Sequence, residues 1–118
     1  MEGIVGILQF AVDGLSQRQD AIANNLSNDY TPGYTAQQVN FEQSLQQAMA
    51  NPGGGTANVT VTSSTAPAAA NGNNVDTGQQ LIDASQAELQ YQTMVSLLNA
   101  QIGIVAAAVG GSSSATVP

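Results

Sequence analysis

The sequence predicts an all-α chain. A helix at each end is expected to pair with the other as an elongated antiparallel, coiled-coil-like hairpin, with a short helix and a flexible Gly/Ala/Asn/Thr-rich middle between them. Two periodic stripes and one compositional gap carry this reading. Near the N-terminus, Leu8, Val12, Leu15, Ile22 and Leu26 fall at steps of 4, 3, 7 and 4, with Gln19 at the skipped position. Near the other end, Tyr91, Val95, Leu98, Ile102, Val105 and Val109 repeat at steps of 4, 3, 4, 3 and 4. Such spacing places an apolar seam along a helix. Residues 51–76 carry few bulky side chains, so they bury too little apolar surface to offset the entropy of ordering them.

The first helix is expected over residues 1–28. Ile4 and Ala11 widen its apolar face. Gly3, Gly6 and Gly14 each lower intrinsic helicity by about 1 kcal/mol relative to Ala, so the helix depends on packing. Asn24, Asn25, Ser27 and Asn28 then accumulate. Their side chains compete for backbone hydrogen bonds and favour helix ends. Thr31-Pro32-Gly33-Tyr34 fits a type II turn, with proline presetting φ at the second position and glycine taking the positive φ at the third.

Within residues 29–50 a short helix is expected from Phe41 to Ala50, capped by Asn40 with Gln43 three residues on. Phe41, Leu45, Ala48 and Met49 share one of its faces, and Pro52-Gly53-Gly54-Gly55 stops it. Ala57 to Thr62 alternates like a strand, but an isolated strand is not stable, and 51–76 reads as a flexible insertion. The last helix is placed over 77–110, with Thr77 and Gln80 as its capping box. Leu81 and Ala84 extend its stripe backwards, with Glu88 as the acidic exception. Gly110 and Gly111 are expected to end it, leaving 111–118 as a frayed tail.

Composition narrows the function. The 118 residues hold one Arg, no Lys, no His and no Cys against eight acids, for a net charge of -7. Only 8% are charged, against about a quarter in ordinary domains. Such a chain cannot neutralise a phosphate backbone, so nucleic acid is a poor partner, and the same holds for an anionic membrane surface. The longest apolar run, Ile102 to Val109, is too short to span a bilayer. The apolar patch Ile4 to Val12 lacks the cationic flank of a secretory signal.

Chemistry is equally constrained. Without His or Cys, neither a Ser–His–Asp nor a Cys–His arrangement exists. Asp13 and Asp20 can share a helix face, and Asp83 and Glu88 do so only loosely; these read as solvated carboxylates, with no ligand-like cluster for a metal. The glycines of 53–55 lack the Lys-Ser/Thr ending of a phosphate loop. No catalytic residue, metal or cofactor is expected. Arg18 has two open roles: an ion pair on its own helix, or a contact with an acidic neighbour.

A two-helix hairpin hides only its seam. Leu89, Met94, Leu97 and Ile104, with Val5 and Ile7 on the first helix, lie off that seam and present a docking surface. Fully burying one such side chain contributes about 1.5–3 kcal/mol, whereas a core this small supplies about 3–5 kcal/mol. The isolated chain is therefore expected to be loosely folded and to order on assembly.

The string Ala23-Asn24-Asn25-Leu26-Ser27-Asn28-Asp29-Tyr30-Thr31-Pro32-Gly33-Tyr34 resembles the N-terminal signature of the flagellar basal-body rod family. Val39-Asn40-Phe41-Glu42-Gln43-Ser44-Leu45 is similar to that family's Val-Asp-Phe segment. Asn73-Asn74-Val75-Asp76 and Leu89-Gln90-Tyr91-Gln92 look like its C-terminal part. The order of the pieces, with no large inserted domain, looks most like the proximal-rod type. The resemblance covers both ends, about three quarters of the chain. Two departures stand out: Thr35 and Ala36 follow the Gly-Tyr where a basic residue is frequent, and cations are nearly absent.

The resemblance implies a structural subunit of the bacterial flagellar basal body, exported through the flagellar type III apparatus and packed by its terminal helices into a torque-transmitting tube. It implies self-association, contact with other rod subunits, and contact with the adaptor and export gate beneath the rod. Asn24, Asn25, Asn28, Thr31, Pro32, Gly33 and Tyr34 carry over as the family motif. The stripe residues of both helices carry over as the assembly interface. The alternatives are another rod type of the same family, or a secreted acidic helical adaptor unrelated to flagella.

Overall fold

The computed structural model describes the backbone of residues 2–50 and 59–115, and the side chains of 3–50 and 59–108. The order is α1 (Glu2–Ser27), β1 (Gln37–Asn40), α2 (Phe41–Ala50), β2 (Thr60–Ser63) and α3 (Thr77–Ala115). The molecule is predominantly helical and elongated, 70 × 27 × 14 Å. α1 and α3 pack against each other.

The all-α expectation is corrected by a small sheet. β1 and β2 pair antiparallel, with Gln37 opposite Ser63 and Asn40 opposite Thr60. The strand signal in 57–62 thus has a partner, in a stretch expected only to link the turn to α2. The flexible insertion expected over 51–76 therefore contains an ordered strand and a bonded loop; residues 51–58 lie outside the described residues. Side chains of α1 cover the other edge of β1. Asn25 takes both the N–H and the C=O of Gln37, and Arg18 Nη2 donates to the Val39 carbonyl at 3.2 Å.

The core sits where α1 crosses β1 and α2. It is built from Ala11, Leu15, Ala21, Val39 and Phe41, with Leu45, Val59, Tyr91 and Met94 packed against it. Met94, expected off the seam, therefore belongs to this core. Gly14 is the close-approach point: a Cβ there would lie 2.6 Å from Phe41 Cδ1 and 2.9 Å from Val59 Cγ2. A residue expected only to weaken α1 is what lets the Phe41 ring reach it.

The capping boxes differ from expectation: Asn40 does stand directly before α2, but its side chain bonds across the sheet, and α3 takes its cap from another residue. Asn40 is the last residue of β1, and its amide donates to the Thr60 and Thr62 hydroxyls, each at 3.2 Å. α3 is capped by Asp76, whose Oδ1 accepts from Gln79 N at 3.1 Å and whose carbonyl accepts from Gln80 N at 2.9 Å. Thr77 instead donates to Asp29 at 3.2 Å, tying the exit of α1 to the start of α3. α3 also continues through Gly110 and Gly111 to Ala115. Glycine in a helix interior costs about 1 kcal/mol but does not forbid helical dihedrals.

Candidate functional site

The motif Asn24–Tyr34 forms the junction that holds the two ends of the chain together. Asn25 is its centre. It is 1% exposed, and both sides of its amide are saturated. Nδ2 donates to the Gln37 carbonyl at 2.9 Å and to Gln80 Oε1 at 3.0 Å. Oδ1 accepts from Gln37 N at 2.9 Å and from the Tyr34 hydroxyl at 3.1 Å. One side chain thus joins α1, the turn, β1 and α3. A fully buried amide is tolerated because no donor or acceptor is left unmade.

Asn28 closes α1. Its Nδ2 donates back to the Asn24 carbonyl at 2.9 Å, and its Oδ1 accepts from Thr31 Oγ1 at 3.0 Å. The turn follows, with Tyr34 N bonded to the Thr31 carbonyl at 3.2 Å and Gly33 at φ +75°. This is the type II geometry expected from Thr-Pro-Gly-Tyr. Pro32 and Tyr30 are exposed, Tyr30 by 88%.

The partner of this turn is the loop before α3. Gly33 N donates to the Asn71 carbonyl at 2.8 Å, and Asn74 N to the Tyr34 carbonyl at 3.2 Å. Asn73, itself buried, donates to the carbonyls of Asn28 and Thr31, each at 2.8 Å. Asn74 Oδ1 accepts from Ala36 N at 2.7 Å. The Asn73-Asn74 pair, read in sequence as a C-terminal family feature, is therefore the complement of the N-terminal motif. The signal that could have linked them was the clustering of asparagines on both sides of a low-complexity stretch.

Arg18 settles on a neighbour, not on its own helix. Its guanidinium forms a forked pair with Glu42, at 2.6 and 2.9 Å, and lies 5.6 Å from the Phe41 ring centroid. Its hydrogen bonds hold the Glu42 carboxyl below the ordinary glutamate range. Three side-chain bonds connect α1 to α3 in order: Asn25 to Gln80, Gln19 to Glu88 at 2.9 Å, and Arg18 to Gln90 at 3.4 Å.

The predicted stripes divide. On α1, Leu15 and Ile22 are buried, and Leu8, Val12 and Leu26 half-buried. On α3, Tyr91, Val95, Leu98 and Val105 are half-buried, while Ile102 is 44% exposed. The side chain of Val109 lies outside the described residues. A second set on α3 faces solvent: Ile82, Leu89, Leu97 and Ile104, with Leu89 66% exposed. Their steps of 7, 8 and 7 keep them on one side of a helix, turned away from Ala87, Tyr91 and Met94.

Among the described residues no group of three or more acidic side chains is placed to hold a metal. Among the described residues no helix is long and apolar enough to cross a membrane. An open groove of about 690 Å³ beside β1 is lined largely by amides, with Arg18 already paired in its wall. What the described residues do bring together is a set of amide locks between elements and an apolar outer stripe on α3, features of packing.

No protein-family model matches the chain. It is 30% identical to the flagellar basal body rod protein FlgB of Aeromonas hydrophila, over 82% of this chain and 85% of that protein. It is also 30% identical to FlgB of Escherichia coli strain K12, over 80% and 83%, and to FlgB of Shigella flexneri over the same shares. The chain belongs to the FlgB family of flagellar basal-body rod proteins. It is a structural component of the bacterial flagellar basal body and not an enzyme.

Proposed function

We propose that the chain is a proximal-rod subunit in which α1 and α3 form an antiparallel, coiled-coil-like hairpin, and that the outer stripe of α3 packs against neighbouring subunits of a tube. The inverse order of the three α1–α3 bonds supports the hairpin: α1 numbers fall from 25 to 18 as α3 numbers rise from 80 to 90. On that register the last turns of α3 extend beyond the start of α1. The single observation that carries the assembly reading is the row Ile82, Leu89, Leu97 and Ile104, exposed on the face that α1 does not cover. Large aligned apolar side chains left in water are a docking surface.

Torque passes through such a tube by helix packing, and the motif clamp fixes the angle at which the terminal helices leave the junction. Asn24, Asn25, Asn28, Thr31, Pro32, Gly33 and Tyr34 serve that clamp. Leu8, Val12, Leu15, Ile22, Leu26, Tyr91, Val95, Leu98, Ile102, Val105 and Val109 serve the contacts within and between subunits. Other rod proteins, the adaptor and the export gate are the expected neighbours, reached by type III export. The FlgC type of rod protein is the second reading; the 30% identity to FlgB proteins over most of both chains favours the first.

The test is a Leu89→Gln/Leu97→Gln double variant. Its helicity in solution should match the wild type, because neither side chain is in the core, while incorporation into basal bodies and swimming should be lost. Wild-type motility of that variant would overturn the reading.

A further inference from the structure

We propose that Asn71-Gly72 is a self-modification site, a succinimide-forming Asn-Gly pair that the motif clamp holds inert while the loop before α3 is docked. Asn71 is the one asparagine in the chain followed by glycine. With no side chain on the next residue, a backbone nitrogen approaches the preceding amide most freely. Asn71 is exposed, on the loop that completes the junction.

The reaction balances with water alone. The Gly72 amide nitrogen, losing its proton to solvent base, attacks Cγ of Asn71. The N–Cγ bond forms, the Cγ–Nδ2 bond breaks, and the side-chain nitrogen leaves as ammonia, giving a five-membered imide. Water then opens the ring at either carbonyl. Opening at Cγ yields an ordinary aspartate in place of the asparagine. Opening at the α-carbonyl yields isoaspartate, in which the main chain runs through Cγ.

In the docked loop the nucleophile is engaged elsewhere, and the side chain it must attack is held in one position. Gly72 N donates to the Ala69 carbonyl at 2.8 Å. Asn71 Oδ1 accepts from Asn73 N at 3.1 Å, and the Asn71 carbonyl accepts from Gly33 N at 2.8 Å. Gly72 is held at φ +83° with its Cα side against Gly33, where an added Cβ would lie 3.2 Å from the Gly33 Cα. Closing the imide ring requires the Gly72 nitrogen to leave its hydrogen bond and the Asn71–Gly72 peptide plane, pinned through the Asn71 carbonyl to Gly33 N, to rotate.

The two products have different consequences. The aspartate product keeps the backbone and an oxygen for Asn73 N. Isoaspartate turns the α-carbonyl that Gly33 N uses into a pendant carboxylate on a lengthened chain, so the clamp cannot close on the same register. The loop is therefore protected once docked and lost to assembly if it reacts while open.

The experiment incubates the full chain at 37 °C and pH 8, folded and in urea, and follows residue 71 by peptide mass spectrometry with isoaspartate detection. The folded chain should modify Asn71 at least tenfold more slowly than the unfolded one. Asn73→Ala, which removes the bonds to Asn28 and Thr31, should raise the folded-state rate toward the unfolded rate; if it unfolds by circular dichroism, Asn74→Ala takes its place. Asn71→Asp should retain wild-type helicity. Equal rates in the folded and unfolded wild type, or modification that spares Asn71 in urea, would overturn the proposal.

Discussion

Gln19 and Glu88 are each the polar break in their own helix's apolar stripe, and they meet: Gln19 Nε2 donates to Glu88 Oε1 at 2.9 Å. A mismatch in one helix is answered by a mismatch in the other, so the pair marks one register of α1 against α3. Gln92, one turn on, donates to the second oxygen of Glu88 at 2.8 Å. A double-mutant cycle of Gln19→Ala and Glu88→Ala should give a coupling of about 0.5–1 kcal/mol in urea melts, as expected for a hydrogen bond to a charged but exposed group. Strict additivity would show that the pair sets nothing.

Asn25→Leu should be among the most damaging substitutions of similar size. It strips partners from Gln37 N, Gln37 O, Tyr34 Oη and Gln80 Oε1 at once. A loss of about 2–4 kcal/mol is expected from an unmade buried network. Chemical denaturation of the variant measures it.

Gly14→Ala and Gly6→Ala should move stability in opposite directions. Both gain intrinsic helicity of about 1 kcal/mol. At Gly6 nothing lies within 4 Å of the new Cβ, whereas at Gly14 it meets Phe41 at 2.6 Å. Thermal melts should rise for the first and fall for the second, since overpacking costs about 1–3 kcal/mol.

Gly33→Val should express normally and fail to enter the rod. Its Cβ would meet nothing within 4 Å, so the damage comes from φ +75° alone. A left-handed conformation costs an L-residue roughly 1–2 kcal/mol, more for a β-branched one. Normal swimming of the mutant strain would separate the turn from assembly.

The Arg18–Glu42 pair predicts an acid limb of stability. Arg18 bonding lowers the folded pKa of Glu42, so the contribution is fully present above the ordinary glutamate value of about 4.3. It is lost as pH falls through the lower, folded value. Because Glu42 is largely exposed, the effect is small. Glu42→Gln should lower stability at pH 7 and flatten the profile between about pH 5 and 3, read by thermal melts across that range.

Local signals made much of this fold legible. The bounds of α2 agree with Phe41–Ala50, and Thr-Pro-Gly-Tyr turned as its residues require, because proline and glycine fix their own dihedrals. The long-range features were not legible. Gln37-Gln38-Val39-Asn40 has no strand character of its own and becomes β1 only because Thr60–Ser63 lies beside it. Thr77 was expected as the cap of α3; Asp76 serves instead, and the threonine hydroxyl goes to Asp29, nearly fifty positions earlier. Asn25 looked like one more helix-end asparagine, since nothing local says that its amide will be enclosed by three other elements. The apolar residues of α3 were visible, yet their division into an inner and an outer row needed α1 in place.

Arg18 is the chain's only side-chain cation, and it is held inside one subunit by Glu42, Val39 and Gln90. Every other charged side chain in the sequence is acidic. Two free copies approach as like-charged bodies, so in the assembly proposed above the apolar row on α3 would be brought together only after mutual repulsion is overcome. Such repulsion would weaken with ionic strength. In the tube proposed above, an ion pair across a subunit seam that leaves Arg18 with Glu42 must draw its positive side chain from a different protein.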